Sequence, residues 1–573
     1  MEKIKTSENL RDSKITNFLF RFGLITCVIV LFFLTLFSYL YTYSSATNIT
    51  TNGVLACYGG LKTISKALIF SFLLFLIAFI IKIQKKDLLN WEIVLLICVV
   101  VTFIFQVWWV SALNVDSTYY HDSKILLQFA EEFITGDMKS FNTSLDGVTD
   151  ISSMLLGTQY FTYYPYQSGS LYYFVLIFKI FGLLNGYLAI RLLNCIYTEI
   201  IFISLVALWR LYSKDNKNTI CLILILFACL PLQYYTTFMY GFQAGIMLAT
   251  LFITFYTYAI YNKNHLKKSI AYFILAIISF VFMVIIKSSL MIVGIAAFLI
   301  SFISFFRKKE RIISILGIIT CILSFLLSSY ASKIPVAMLE NKLGYSLGNG
   351  IPKVAWIAMG LDDNNNVAMD SSMPGWYSGF SQTIKIECMN DEEEMKSLSY
   401  EAILSSMKRF SSDLEYTKWF FSQKIATEWF VPDFHASYFS SITYKDDGTG
   451  NETGKLFYLD VNDTTDQGKK VNNVWNICEG TYKFMDGYQS FIYIFAFICC
   501  VILLKRKMIE THLVVLPCVF IIGFFVYVLW EAQSQYLMPF FVWLIPCAVY
   551  GAVSVTSSIQ SAIEKHTQHE CEN

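Results

Sequence analysis

The sequence predicts an all-α polytopic membrane protein with about thirteen transmembrane helices and one large extracytoplasmic domain inserted before the last three. Of the 573 residues, 56% are hydrophobic and only 15% are charged, whereas a soluble protein carries about a quarter charged residues. The apolar residues come in runs long enough to cross a hydrocarbon core of ~30 Å. The net charge of +1 provides no basic field that would favour nucleic acid as a partner.

The apolar runs define the predicted spans in chain order. They are 17–40, 65–83, 91–113, 170–186, 190–209, 218–235, 238–261, 269–286, 288–306, 312–331, 486–504, 512–530 and 536–556. The first span follows a charged N-terminus and has no small-residue cleavage site, so we expect it to be retained rather than removed as a signal peptide.

Three regions follow from these spans. Residues 1–332 form an N-terminal transmembrane module with an acidic outer loop at 114–168. The polar region 333–484 is too long for a connecting loop and is expected to be a folded extracytoplasmic domain of α/β type. Residues 485–573 supply the last helices and a cytoplasmic tail.

Lysine and arginine predict the orientation, since they concentrate in cytoplasmic loops. The basic segments at 3–14, 82–86, 307–311 and 505–507 are expected inside. The acidic loop, the 333–484 domain and Glu531 then lie outside. Lys214 and Lys217 are also expected inside, but two separate crossings over 170–209 would place their loop outside. Either one element there is re-entrant or that loop breaks the charge rule.

The acidic loop contains the first candidate site, Asp116 with His121 and Asp122. Ionisable residues beside a membrane span are costly and often mark a functional site. A carboxylate there can act as a general base or bind a cation. The alternatives are that Asp122 caps an amphipathic surface helix at 123–136, that Asp116 is a solvated acid and that His121 is a bystander.

Aromatic residues before a predicted span form a second candidate site, with Tyr163 and Tyr164 preceding Pro165. Their rings are suited to stacking on a sugar, although an interfacial aromatic belt is an equally good explanation. The late polar turn contains Glu531 and Tyr536 between two apolar helices. Glu531 is a candidate for binding a sugar hydroxyl, and the alternative is a simple hairpin connector.

Two basic residues at span ends are candidates for neutralising a lipid phosphate. Lys287 follows an apolar helix and is the stronger candidate, and Arg191 is the weaker. Snorkelling of a long side chain towards the interface is the alternative for Lys287. No Walker-type glycine loop, HExxH motif or CxxC pair occurs, so neither ATP-driven transport nor zinc hydrolysis is indicated.

Several segments in order resemble one known family. These are Asp122 eight residues before Ala130, Tyr163-Tyr164-Pro165, Lys179-Ile180-Phe181-Gly182, Arg191-Leu192-Leu193-Asn194, Lys287-Ser288-Ser289-Leu290 and Glu531…Gln535-Tyr536…Pro539. Together they resemble the GT-C superfamily of integral-membrane glycosyltransferases, in the branch related to protein O-mannosyltransferases and the lipid A aminoarabinose transferase. The chain departs from the pattern of this family at three positions, with Gln243 in place of an acid, Gln535 in place of an arginine and Ala355 in place of a histidine.

The resemblance implies a GT-C-like fold and inverting transfer of a sugar from a polyprenyl-phosphate donor, such as undecaprenyl phosphate, on the outer face. It implies Asp122, or Asp116, as the base and Lys287 with Arg191 as phosphate partners. The residues that would bind substrate are His121, Tyr163, Tyr164, Glu531 and Tyr536. The acceptor would be a cell-wall glycan or teichoic acid of a Gram-positive cell. No cofactor is expected. A bound divalent metal is possible but not favoured, because Gln243 stands in place of an acid.

Three other functions remain open from the sequence. A polysaccharide polymerase or ligase would use a lipid-linked glycan and would be expected to have more arginine in its outer loop. A lipid or sugar transporter (a flippase) would be expected to show repeated halves with interrupted helices, and no such repeat is evident. A non-catalytic membrane scaffold would not require Asp122 or Lys287.

Overall fold

A computed structural model describes residues 2–43, 55–57, 61–83, 89–112, 122–138, 141, 159–363, 374–437 and 466–572. Almost all of these residues are helical. Within them, one antiparallel pair of three-residue strands occurs, β1 (Tyr41–Tyr43) and β2 (Leu55–Cys57), with Tyr41 opposite Cys57. The all-α prediction is therefore confirmed for the bulk of the described chain.

The helices are numbered in chain order. The first eleven are α1 (Glu2–Leu40), α2 (Leu61–Ile83), α3 (Trp91–Ala112), α4 (Asp122–Thr135), α5 (Gln159–Tyr163), α6 (Ser168–Phe181), α7 (Leu183–Tyr212), α8 (Asn216–Phe227), α9 (Leu230–Tyr234), α10 (Phe242–Tyr261) and α11 (Leu266–Ile286). The others are α12 (Ile292–Phe305), α13 (Arg311–Ala331), α14 (Lys333–Leu343), α15 (Val354–Gly360), α16 (Phe380–Glu387), α17 (Glu392–Ser412), α18 (Leu414–Trp429), α19 (Asp466–Leu504), α20 (Val515–Leu529) and α21 (Ser534–Glu572).

Eleven helices in the described ranges are long and apolar enough to cross a membrane. A twelfth crossing results if α8 and the segment Leu230–Thr237, which meet at a bend of 54°, count as one broken span. The chain is thus a multi-pass α-helical membrane protein. The prediction of about thirteen spans is one or two too high.

The excess arises at the predicted spans 170–186 and 190–209. Here α6 has only 14 residues, about 21 Å, and is too short to cross. It ends at Gly182, where φ is +76°, and the chain reverses directly into the 30-residue helix α7. Glycine adopts this backbone conformation without steric cost. Because the residues around the turn are apolar, hydropathy alone does not reveal it.

The reversal at Gly182 also removes the charge conflict at Lys214. Contacts between the basic loops show that they lie together at one end of the helices, which is called here the basic end. Tyr212 donates a hydrogen bond to the His512 carbonyl (2.9 Å), and Lys263 pairs with Glu310 (2.7 Å). Arg307 donates to the Ile509 carbonyl (2.9 Å). With twelve crossings, these loops all fall on one side.

The region 333–484 differs from the predicted α/β domain. Its described residues, 333–363, 374–437 and 466–484, form helices joined by turns and loops, and no strand occurs among them. Asp391 and Asp413 cap α17 and α18, accepting bonds from backbone amides in each first turn. These capping acids precede the helices as expected for N-terminal signals. Buried residues of α15–α17 belong to the same hydrophobic cluster as α4 and α6.

Helix α4 confirms the predicted helix at 123–136 but not its location on a lipid surface. Ile125, Leu126, Leu127 and Phe129 are all buried. They pack with α6 and with the aromatic segment at 160–164. Protein, rather than lipid, covers the apolar face of this helix.

Candidate active site

Asp122 is the first residue of α4 and lies half-buried at the end of the helices opposite the basic end. Its Oδ2 accepts a hydrogen bond from the Tyr240 hydroxyl (2.8 Å). That hydroxyl in turn accepts from Nε2 of Gln167 (2.8 Å). A carboxylate that receives a directed hydrogen bond from a distant segment is held in a defined orientation. Asp122 therefore does more than begin a helix.

Lys287 follows the last residue of α11 and is buried. Its Nζ lies 3.6 Å from the centroid of the Tyr240 ring, a close cation–π contact. Burial lowers the pKa of Lys287 to about 7, while the carboxylates of Asp122 and Glu531 oppose that shift. The Tyr240 side chain thus contacts the candidate base through its hydroxyl and the candidate phosphate partner through its ring.

Glu531 lies in the turn between α20 and α21 and is buried. Burial raises the pKa of Glu531 to about 8, and the charge of Asp122 adds to the shift. Lys424 and Lys287 oppose it. The turn is fixed on both sides of Glu531, because the Ala532 amide donates to the Gly375 carbonyl (2.7 Å) and the Trp530 carbonyl accepts from Lys424 Nζ (2.6 Å).

Lys424 on α18 is fully buried and also donates to the Gly360 carbonyl. A side chain at position 360 would collide with the backbone of Trp530, since a Cβ would lie 2.4 Å from its carbonyl. Glycine is therefore required for this close approach. Burial lowers the pKa of Lys424 to about 8.

Glu428 lies one helical turn after Lys424 and is fully buried. Neither of its carboxylate oxygens finds a hydrogen-bond donor among the described residues. Burial raises the pKa of Glu428 to about 8, with Lys424 opposing the shift. Acidic and basic side chains therefore alternate in a set that is called here the buried charge row: Asp122, Lys287, Glu531, Lys424 and Glu428.

The predicted aromatic residues connect helix α16 to this site. The Tyr164 hydroxyl accepts from Nε2 of Gln382 on α16 (3.2 Å). Lys385 on α16 donates to the Thr162 carbonyl and lies 5.1 Å from the Tyr163 ring centroid. Tyr536 stacks on Tyr527, with ring centroids 5.9 Å apart. Tyr163 and Tyr164 are themselves buried.

Three other predicted residues have different outcomes. Asp116 and His121 lie outside the described residues. Arg191 is fully buried on α7, one turn before Asn194, whose amide donates to the Thr236 and Phe238 carbonyls (3.1 Å each). Asn194 thus contacts the loop that leads to Tyr240, and the role of Arg191 as a phosphate partner stays a prediction.

Gln243 occupies the position at which the family resemblance expects an acid. Its Nε2 donates to Thr198 Oγ1 and to the Leu232 carbonyl, each at 2.9 Å. A carboxylate cannot donate either bond, so glutamine fits this buried position where an acid does not. Among the described residues, no group of three or more histidine, cysteine or acidic side chains is arranged to hold a metal ion.

Sequence reasoning did not assign roles to Tyr240, Lys424 or Glu428. Tyr240 lies three residues before Gln243, and its aromatic–glycine context gives no sign of its contact with Asp122. Lys424 and Glu428 occur in a polar region, where charged residues are ordinary. Their spacing of four residues on one helix was the only available signal.

Comparisons of the chain with protein-family models, curated proteins and solved structures found no match. Fold and site together define a multi-pass α-helical membrane protein with a buried row of ionisable groups at one end of its helices. The resemblance to GT-C glycosyltransferases rests on the sequence segments alone.

Proposed function

We propose that this chain is an inverting glycosyltransferase that moves a sugar from a polyprenyl-phosphate donor to a cell-wall glycan or teichoic-acid acceptor. One observation supports the proposal most directly. The carboxylate of Asp122 and the ammonium of Lys287 contact the same tyrosine, Tyr240, from different sides. A base and a cation this close are what the two ends of a glycosyl transfer require.

In the proposed reaction, an acceptor hydroxyl oxygen attacks the anomeric carbon from the face opposite the phosphate. The bond between that carbon and the phosphate oxygen breaks, and its electron pair leaves with the lipid phosphate. The hydroxyl proton passes to the Asp122 carboxylate. A single displacement inverts the configuration at the anomeric carbon. Tyr240 and Gln167 hold Asp122 in place for this step.

Lys287 would stabilise the departing phosphate. A buried ammonium interacts with a phosphate far more strongly than a solvated one, because little water screens the charges. The arriving phosphate also favours the protonated form of a lysine whose pKa burial lowers to about 7. Removal of such a preorganised group costs a rate factor of about 10² to 10³ in comparable sites.

Glu531 and the outer helices would orient the acceptor. Glu531 is clamped by Lys424 and Gly375, so its carboxyl is presented from a fixed turn. The donor's polyprenyl tail would lie along the exposed apolar faces of the transmembrane helices. The positive-inside rule assigns the basic end to the cytoplasm. The site then faces the outside, where wall polymers are modified.

The test is transfer by the full-length protein in proteoliposomes that contain a polyprenyl-phosphate sugar and a wall-polymer acceptor. Asp122→Asn should abolish transfer, and Lys287→Met should reduce it by about 10² or more. Asp137→Asn, an exposed acid just after α4, is the matched control and should behave as wild type. Absence of transfer across donors with different sugars, or full activity of Asp122→Asn, would contradict the proposal.

A transporter is the second candidate, because the span formed by α8 and Leu230–Thr237 is broken by a 54° bend. Broken helices commonly form the substrate sites of transporters. The same proteoliposomes distinguish the two functions. A transferase yields a glycosylated acceptor and free lipid phosphate, whereas a flippase moves the intact donor between leaflets.

A further inference from the structure

Helices α6 and α7 form a hairpin that extends beyond the neighbouring spans. At its base, Ser170 Oγ donates to the carbonyl of Ile286, the last residue of α11 (2.7 Å). On α7, Asn194 bonds to carbonyls just before α10 begins. Residues 171–194, called here the α6–α7 hairpin, therefore project about 16 to 18 Å past the ends of α10 and α11.

The tip of this hairpin is apolar and exposed. Leu184 is 95% exposed, and Ile180 and Phe181 beside it are also exposed. Lys179 and Asn185 supply the exposed polar side chains of the tip. Fully exposing a leucine costs about 1.5–3 kcal/mol relative to burying it. A cluster of such residues at a helix turn marks a contact surface.

The same apolar face continues along α7 into the membrane. Leu188, Ile196 (43% exposed) and Ile203 (45% exposed) follow Leu184 at intervals of four, eight and seven residues, which places them on one side of a helix. Ile203 precedes Ser204, whose carbonyl accepts from Thr254, midway along the transmembrane helix α10. The stripe therefore begins at membrane depth and reaches the hairpin tip, where Asn185 is the exposed polar residue between Leu184 and Leu188.

We propose that the α6–α7 hairpin is embedded in the lipid leaflet at the site end of the protein, with acyl chains covering Ile180, Phe181 and Leu184. The 30-residue α7 is about 45 Å long, against about 30 Å for the 20-residue α10. A steep tilt of α7 or local thickening of the leaflet accommodates the difference. Lys179 can extend its ammonium from the tip to the headgroups.

Helix α4 connects the α6–α7 hairpin to the candidate site. Helix α4, which begins with Asp122, packs against α6, and Glu131 near its end accepts a hydrogen bond from Tyr187 on the hairpin. A lipid-embedded hairpin would place Asp122, which lies at its base, within the depth of the leaflet rather than above the headgroups. The proposal concerns lipid contact alone and does not depend on the proposed activity.

The experiment uses the full-length protein in lipid nanodiscs with a cysteine introduced at position 184 and labelled with an environment-sensitive fluorophore. Quenching by brominated acyl chains is compared with quenching by iodide in water. Ile203→Cys is the lipid-facing control, and Ser405→Cys, exposed on α17, is the aqueous control. Unmodified protein gives the background, and the twelve cysteines whose burial the structure describes are buried or half-buried.

The expected result is that label at 184 loses emission with brominated lipid and not with iodide, as label at 203 does. A second label at position 180 should behave in the same way. Iodide quenching equal to that at position 405 would show a water-exposed tip and overturn the proposal. Protection from both quenchers would show that protein, such as a second copy of the chain, covers the tip, and would also overturn it.

Discussion

Lys424→Met tests how the buried charge row is held together. Lys424 Nζ donates to the Gly360 carbonyl and to the Trp530 carbonyl (2.6 Å), and its charge opposes those of Glu428 and Glu531. Methionine fills a similar volume but donates no hydrogen bond and carries no charge. The variant therefore leaves two buried carbonyls unpaired and two buried acids without their shared cation.

The expected cost follows from the complete burial of Lys424. Leaving a buried acceptor unsatisfied costs about 1–3 kcal/mol per group. Removing one partner of a buried charge pair costs about 3–5 kcal/mol. The two figures describe overlapping effects, so we expect a loss of about 3–5 kcal/mol in total. That is a large part of a typical stability of about 5–15 kcal/mol.

The assay is thermal unfolding in detergent, followed by a thiol-reactive dye that labels buried cysteines as they become exposed. Lys418→Met is the matched control, because Lys418 lies on the same helix, is 69% exposed and pairs only at the surface with Glu415. Lys424→Met should melt at a clearly lower temperature than this control. Glu428→Gln should restore part of the stability in the double variant, since it removes the uncompensated acid.

Two outcomes would refute the reasoning on Lys424. Equal melting temperatures for Lys424→Met and Lys418→Met would show that the clamp on Trp530 contributes little. Simple additivity of Lys424→Met and Glu428→Gln would show that the two side chains do not interact. In either case, the buried charge row would not be an energetic unit.

Three further predictions concern the candidate site. Tyr240→Phe removes one hydrogen bond to Asp122 and should slow transfer about tenfold, corresponding to ~1.4 kcal/mol, measured as kcat/KM. Because burial lowers the pKa of Lys287 to about 7, transfer should decline above about pH 7 as the ammonium loses its proton, and Lys287→Arg should remove that alkaline decline. The pKa of Glu531 is raised to about 8, so its stabilising contribution is present at low pH and is lost as pH rises to about 8. Melting temperatures at about pH 5 and pH 8 should therefore differ more for wild type than for Glu531→Gln.

The transmembrane helices were predictable because the bilayer imposes a minimum apolar length on each of them. The predicted spans 91–113 and 269–286 correspond closely to Trp91–Ala112 and Leu266–Ile286. Hydropathy gives no sign of a place where an apolar stretch turns back on itself. Hydropathy treats Phe181 and Leu183 as continuous membrane residues, and only the backbone at Gly182 shows the reversal.

The candidate site was predictable in part, for a different physical reason. Asp122, Lys287 and Glu531 are conspicuous because each lies next to an apolar helix, where a charge is costly. Lys424 and Glu428 carried no such signal. Their sequence neighbourhood is polar, and only the packing of α18 against the transmembrane helices buries them.

Helix α18 of the 333–484 region is therefore part of how the site is built. The turn at Glu531 lacks the arginine that the family resemblance expects, since Gln535 stands in its place. A cation nevertheless reaches this turn from α18, because Lys424 binds the Trp530 carbonyl from 106 residues away in the chain. Lys424 uses its hydrogen bonds on backbone carbonyls, whereas Lys287 lies over Tyr240 beside Asp122. Lys424 thus fixes the turn, and Lys287 is the lysine that the proposed mechanism assigns to the donor phosphate.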